Sequence, residues 1–138
     1  MKAEDLNKYW TDIYFCLHYA HEDKITHQAI RILQLVEKKQ RIGINDISTY
    51  LKVSHNTASE HVKRNIEKKY LIKERDPADE RRVILKLTEL GKEVLERNTS
   101  LDKDKLQTIL NRMTSEEEAM VEAAFKLLKD RADHVHHR

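Results

Sequence analysis

The stretch R75-D-P-A-D-E-R-R-V-I-L-K-L-T88 decides how the rest of the chain is read. It holds the single proline of the 138 residues, in a sequence whose period is otherwise helical. Val83, Leu85 and Leu87 alternate with Ile84 and Lys86, so residues 83–87 read as a strand. Leu71 and Ile72 supply a partner strand. Asp76-Pro77-Ala78-Asp79 then turns a hairpin, because proline presets φ and an aspartate side chain bonds to nearby backbone.

Upstream of the hairpin, two short helices are expected. Asn45 is placed to cap one over Asp46 to Leu51, and Ser54 to cap the next, where Ala58, Val62 and Ile66 recur every four residues. Joined by Leu51-Lys52-Val53-Ser54 and followed by a charged hairpin, they make a winged helix-turn-helix. Ile47, Leu51, Val53, Ala58 and Val62 lock the pair at a steep angle, which leaves the other face of the second helix free to enter a major groove. That face begins at Ser54 and carries His55, Asn56, Thr57, Ser59, Glu60, Lys63 and Arg64. Asn reads adenine bidentately, and hydroxyls and His meet base edges or phosphates. Lys63, Arg64, Lys68 and Lys69 neutralise phosphates. Glu60 can accept from a cytosine amine or pair with Lys63 or Arg64, and the local ion pair is the preferred reading.

Four more helices complete the expected order. Residues 4–20 form the first, with Leu6, Tyr9, Trp10, Ile13, Tyr14, Phe15, Leu17 and Tyr19 spread around most of its circumference. A helix apolar on more than one face is buried on more than one side, which in so short a chain points to a second subunit. Thr26 caps a second helix to about Lys39, with Ile30, Leu33, Leu35 and Val36 in its stripe. The connection between these two, His21 to Ile25, is short. Thr88 caps a helix running to about Asn111, and Thr114-Ser115-Glu116-Glu117 opens the last one.

Bulk composition agrees. The length is that of one domain, and 39% hydrophobic against 36% charged residues suits a small helical protein with much surface, or one that buries more apolar area by pairing with a partner. Only 2 Gly leave no room for a Gly-rich phosphate cradle, and no Ser-His-acid motif or dinucleotide fingerprint is present, so an enzyme is not expected. Residues 52–82 hold nine Lys/Arg against six Asp/Glu, whereas residues 92–130 hold seven against nine. The basic middle faces a polyanion better than the acidic tail does. The first ten residues lack the basic start and apolar core of a signal peptide, and no apolar run approaches a membrane span. With a single cysteine, Cys16, the expectation is a cytoplasmic protein without a membrane partner.

The segments L51-K-V-S-H-N-T-A-S59, Y70-L-I-K-E-R75 and D79-E-R-R-V-I-L-K-L-T-E-L-G91 resemble the MarR family of bacterial transcriptional regulators. The resemblance spans the whole chain in length and helix order and is specific over residues 44–92. It implies a mainly α fold with a small β-hairpin wing in one domain over residues 1–138: a winged-helix DNA-binding part over 25–91, and dimerisation helices over 1–24 and 92–138. It implies that Arg81 enters a narrow minor groove, whose negative potential attracts arginine, and that Asp79 orients it. Arg75 joins the same DNA-binding set. Arg82 falls on a position variable in the family and takes a phosphate or solvent role. Glu80 stands where many members carry an arginine. The implied function is a homodimer on a pseudo-palindromic operator in double-stranded DNA, acting as a repressor released by a small-molecule effector or an oxidative signal. The alternatives are a winged-helix protein-interaction module and a nonspecific architectural DNA binder.

Two clusters raise further chemistry. F15-C-L-H-Y-A20 is similar to the first-helix motif of the branch of that family that senses organic hydroperoxides, with one residue missing. Sensing needs a lowered thiol pKa and access to oxidant; a cysteine buried in an apolar helix is inert packing. His18, His21 and His27 lie close in sequence, and His134, His136 and His137 crowd the tail, but neither set completes a tetrahedral metal site. No metal and no cofactor is expected.

Overall fold

The computed structural model describes residues 1–136. Seven helices and one hairpin follow in the order α1 (Ala3–Leu17), α2 (His27–Lys38), α3 (Ile44–Leu51), α4 (His55–Glu67), β1 (Leu71–Asp76), β2 (Asp79–Leu87), α5 (Glu89–Thr99), α6 (Lys103–Leu110) and α7 (Ser115–His136). The fold is the expected mainly helical one with a hairpin wing. The residues group into two compact units: His18–Ser100, and Met1–Leu17 with the segment from Leu101 onward. These boundaries differ from those drawn at residues 24/25 and 91/92, because all of α5 packs with the winged helix.

In the first unit, helix starts follow local chemistry. The hydroxyls of Thr26, Ser54 and Thr88 accept from the amides of Ala29, Thr57 and Gly91, as their positions in the sequence led one to expect. α3 differs. Its cap is Gly43, not Asn45, because the Asp46 carboxylate reaches back to accept from the Gly43 amide at 2.8 Å. Between α3 and α4, Lys52 takes a left-handed conformation (φ 57°), the Val53 amide donates to the Ser48 carbonyl, and the Ser48 hydroxyl donates to the Val53 carbonyl at 2.7 Å. Together they close the turn between the two helices.

One core holds this unit. Ile32, Leu33, Leu35, Val36, Ile42, Ile47, Leu51, Ala58, Val62, Leu71, Leu85 and Leu95 form a single buried cluster, with Val53 packed at its edge. Ile32, outside the expected stripe, is fully buried. β1 and β2 pair antiparallel from Leu71↔Leu87 to Arg75↔Val83, the five residues expected of the strand, and one further pair, Asp76↔Asp79, carries β2 on to nine residues. The base of β2 also departs from strict alternation. Ile84 and Leu85 are both buried: Leu85 belongs to the core cluster, and both line a cavity of about 600 Å³ with Val36, Glu37 and Asp76. The other edge of β2 is not free: the Leu85 amide donates to the Ile42 carbonyl at 2.8 Å.

After the wing the chain turns sharply into α5. Thr88 donates its amide to the Tyr70 carbonyl (3.0 Å) and its hydroxyl to the Lys69 carbonyl. Lys69 itself is left-handed, with φ 66°. These bonds draw the first turn of α5 onto Tyr70 so closely that a Cβ on Gly91 would overlap the Tyr70 carbonyl oxygen. At its far end α5 is tied to the α1–α2 connection by Arg97 Nε on Asp23 at 2.9 Å.

The expected single helix from Thr88 to Asn111 is two. Asn98 and Thr99 turn their side chains onto the carbonyls of Val94 and Leu95 (2.8 and 2.7 Å), a competition that weakens a helix, and Asp102 then caps α6. The first helix is also shorter than expected. α1 ends at Leu17, so the connection to α2 covers residues 18–26 rather than a short loop.

The second unit holds α1, α6 and α7. The Asp102 amide donates to the Leu17 carbonyl at 2.7 Å, and Thr114 and Glu117 exchange a capping box at the start of α7. No described residue of these three helices is buried. Tyr9, Trp10 and Phe15 on α1 and Met120, Phe125, Leu127 and Leu128 on α7 all lie exposed.

Gly91→Ala tests the α5 junction. The added methyl has backbone, not a flexible side chain, in its way. It is expected to destabilise the protein by roughly 1–3 kcal/mol, the usual cost of overpacking, read as a lower urea midpoint. Gly43→Ala, whose Cβ would stand 3.2 Å from the Val83 carbonyl oxygen, should cost less.

Candidate nucleic-acid interface

α4 is amphipathic with a clear division of labour. Ala58, Val62 and Asn65 point into the core, and the Asn65 amide donates to the His61 carbonyl at 3.1 Å. His55, Asn56, Thr57, Glu60, Lys63 and Arg64 are exposed, and Ser59 is half-buried. The sequence therefore assigns the exposed face correctly as a face. Its members differ in freedom. The Ser54 and Thr57 hydroxyls bond to each other at 3.0 Å within the cap. His55 Nδ1 lies 2.8 Å from Asn45 Oδ1, which ties the start of α4 to α3. Asn56, Lys63 and Arg64 have no side-chain partner among the described residues, and the preferred ion pair of Glu60 with Lys63 or Arg64 does not form. Lys68 and Lys69 are exposed beyond the end of α4.

The wing presents its tip through an irregular strand. Asp76 pairs with Asp79 and the next residue back, Arg75, with Val83, so Glu80, Arg81 and Arg82 are extra residues on β2. A bulge of this kind re-aims side chains out of the sheet. Arg81 is the freest of them, with its side chain 93% exposed. Asp79 Oδ1 accepts from both the Arg81 amide (3.1 Å) and its Nε (3.3 Å), so the acid and the arginine come together as the motif implied. Arg75 crosses the hairpin to donate to the Glu80 carbonyl at 2.8 Å.

Arg82 behaves differently from a free phosphate or solvent contact. Its guanidinium donates to the Arg41 carbonyl and to Asp46 Oδ2 (3.0 Å). Arg41, left-handed at φ 59°, places its own guanidinium on buried Asp76, with Nε and a terminal nitrogen 2.7 and 2.6 Å from Oδ2. The second Asp76 oxygen accepts from the Ala78 amide at 2.9 Å, the local turn bond expected of an aspartate there. Arg41, Asn45 and Asp46 were not legible as members of the site, because their partners lie at distant positions in the chain. Lys73 was also missed. It lines a cavity of about 540 Å³ with Asn45, His55, Arg82 and Val83, where the starts of α3 and α4 meet the wing.

The other candidates stand apart from this surface. Cys16 is exposed, not packed. His21 approaches Asp23 at 3.7 Å, and among the described residues no three or more His, Cys, Asp or Glu gather to hold a metal. His137 lies outside the described residues, and so does the side chain of His136. No described helix is long and apolar enough to cross a membrane.

A family model for the transcriptional regulator SarA/Rot matches residues 17–98, which takes in α2 to α5 and the whole wing. The chain belongs to the SarA/Rot family of transcriptional regulators. No curated protein matches it. Among solved structures, a MarR-like transcriptional regulator from Thermotoga maritima (TM0816) aligns over 96% of this chain and 98% of its own, at 18% identity and a TM-score of 0.68. S. aureus MepR bound to ethidium bromide aligns over 96% and 97%, at 20% identity and a TM-score of 0.64. The transcriptional regulator Tm0710 of T. maritima aligns over 83% and 80%, at 26% identity and 0.60. A MepR mutant bound to an oligodeoxyribonucleotide aligns over 78% and 80%, at 24% identity and 0.51. The chain thus has the MarR-type winged-helix fold, and the matched family is one of transcriptional regulators.

The acid side of stability follows from the wing turn. The Ala78 amide, and then Arg41, hold the Asp76 carboxyl below its ordinary value, as Arg97 does for Asp23. A depressed folded-state pKa contributes stability that is complete above the unfolded value of about 3.9 and is lost as pH falls toward the folded value. Unfolding free energy should therefore fall on acidification below about pH 4. Asp76→Asn should flatten that fall, read from urea midpoints across the acid range.

Proposed function

We propose that this chain is a dimeric, sequence-specific DNA-binding regulator that reads a pseudo-palindromic operator with α4 in the major groove and Arg81 in the flanking minor groove. The observation that carries the reading is the pairing of two presentations on one unit: an α4 face with unpartnered Asn56, Lys63 and Arg64, and a bulged wing that holds out Arg81 on Asp79. Asn56 suits adenine, Lys63 and Arg64 suit phosphates, and an oriented arginine suits a narrow minor groove. Ser54, His55, Thr57 and Ser59 complete the α4 surface, and Arg75 shapes the hairpin beneath Arg81. The binding of an oligodeoxyribonucleotide by a MepR mutant of the same fold supports the choice of DNA.

Dimerisation is supported by the aromatic and aliphatic side chains left exposed on α1 and α7, which a second copy would cover. A twofold dimer places its half-sites about one helical turn apart. Repression by occupancy, with release by a small molecule or an oxidant, completes the proposal. MepR binds ethidium in the same fold, and exposed Cys16 meets the access requirement for oxidation.

Gel shifts with genomic fragments at two salt concentrations test the reading. Arg81→Ala should weaken operator binding about tenfold and reduce the preference for narrow minor grooves. Lys63→Ala should weaken binding to all sequences and lower the salt slope by about one. Unchanged operator affinity in Arg81→Ala at physiological salt would sink the wing assignment. Binding with salt dependence but no sequence preference would indicate an architectural binder instead.

A further inference from the structure

We propose that Arg82 is a positioning residue of the wing, which acts with Asp46 and Arg41 to set where Arg81 stands, and that it makes no contact with DNA. The inference rests on the DNA-binding reading above. Beside freely exposed Arg81, Arg82 looks in sequence like a second tip arginine. Its guanidinium is instead spent within the chain, on the carboxylate of Asp46 and the carbonyl of Arg41.

An isolated exposed ion pair would fix little. This pair is part of a connected set. Asp46 Oδ2 also receives the Gly43 amide, so it is anchored to the start of α3. Arg41 offers its carbonyl to Arg82 and its guanidinium to Asp76, which is 1% exposed and held by the turn amide of Ala78. Between these contacts the Leu85 amide bonds to the Ile42 carbonyl. The α2–α3 loop therefore grips the wing at its tip turn through Asp76, at its bulge through Arg82, and at its base through Leu85. Arg81 lies in the bulge between the first two grips.

Charge points the same way. Two arginines face two aspartates, so the set has no net positive charge to offer a phosphate. Freeing Arg82 from Asp46 would leave a more cationic wing tip. The two possible roles therefore predict opposite signs for removal of the Asp46 charge. If Arg82 were a phosphate contact restrained by Asp46, Asp46→Asn would strengthen DNA binding. If Arg82 positions the wing, Asp46→Asn weakens it. The Asn side chain keeps an oxygen for the Gly43 amide, so the α3 cap survives, and because Arg82 shares that oxygen its charge-assisted bond is reduced to a weaker neutral one.

The experiment compares the native protein, Arg82→Gln, Asp46→Asn and the double variant on an operator whose half-site flanks are A-tracts, and on the same operator with G·C flanks. Positioning predicts a loss of about five- to tenfold for Arg82→Gln on the A-tract operator, and a smaller loss of the same sign for Asp46→Asn. The double variant should be no worse than the weaker single. The slope of affinity against salt should be unchanged, and the A-tract preference reduced as in Arg81→Ala. A merely structural role would lower stability without moving that preference. A slope reduced by about 0.9 in Arg82→Gln, with tighter binding by Asp46→Asn, overturns the proposal. Amide exchange at Leu85 in the DNA-free protein gives a readout independent of operator recognition. It should quicken in both single variants, and unchanged exchange in both would also overturn it. Loss of sequence preference by the native protein alongside quickened exchange would remove the DNA-binding reading and leave the grip on the wing standing.

Discussion

Leu85 is joined to the rest of the winged helix in two directions at once. Its side chain lies in the core with Leu33, Ile47 and Leu71, and its amide donates to the Ile42 carbonyl of the loop before α3. A two-stranded hairpin is marginal by itself in water. Here the outer strand gains a backbone bond on its second edge and a buried anchor on its inner face. Because Ile42 leads directly into α3, and the closed turn after Leu51 leads into α4, the base of the wing and the exposed face of α4 are set by the same few residues. The contacts made by Arg41, Asp46 and Arg82 extend that constraint outward to the tip.

The same economy governs the exit from the wing. Thr88 is at once the last residue before α5, its cap, and a double donor to the backbone of Lys69 and Tyr70. The close approach this imposes is what requires glycine at position 91. α5 thereby belongs to the winged-helix unit and not to the helices that follow. The second unit presents the opposite condition. α1, α6 and α7 have apolar residues in number, none of them buried among the described residues. The unit with a core of its own thus carries the exposed face of α4 and the wing, and the helices of the other unit carry apolar residues without such a core.

What the sequence made legible was local chemistry. Thr26, Ser54, Thr88 and Thr114 could be read as helix starts because a cap acts over three residues. The wing could be read from its period of two and its turn, and the α4 face from the spacing of Ala58 and Val62. The Asp79–Arg81 pair was implied by the family motif and not by local chemistry alone. What escaped was long-range or context-dependent. Nothing near Arg41 announces Asp76, and nothing near Arg82 announces Asp46. Ile84 breaks the alternation beside a cavity that it lines together with Val36 and Glu37 from the distant end of α2. The helix expected through Leu106 ends instead at Thr99, where the Asn98 and Thr99 side chains bond to the carbonyls of Val94 and Leu95, and a new cap at Asp102 starts α6.

The central claim is that α4 and Arg81 act on DNA from one braced platform. A dimethyl sulfate footprint of the native protein on a genomic fragment it selects, which reads guanine in the major groove and adenine in the minor groove, tests this most directly. The account predicts two protected patches about one helical turn apart, each with a major-groove segment flanked by protection of the adjoining minor groove. Uniform methylation of every fragment at physiological salt, with no patch in either groove, would contradict it.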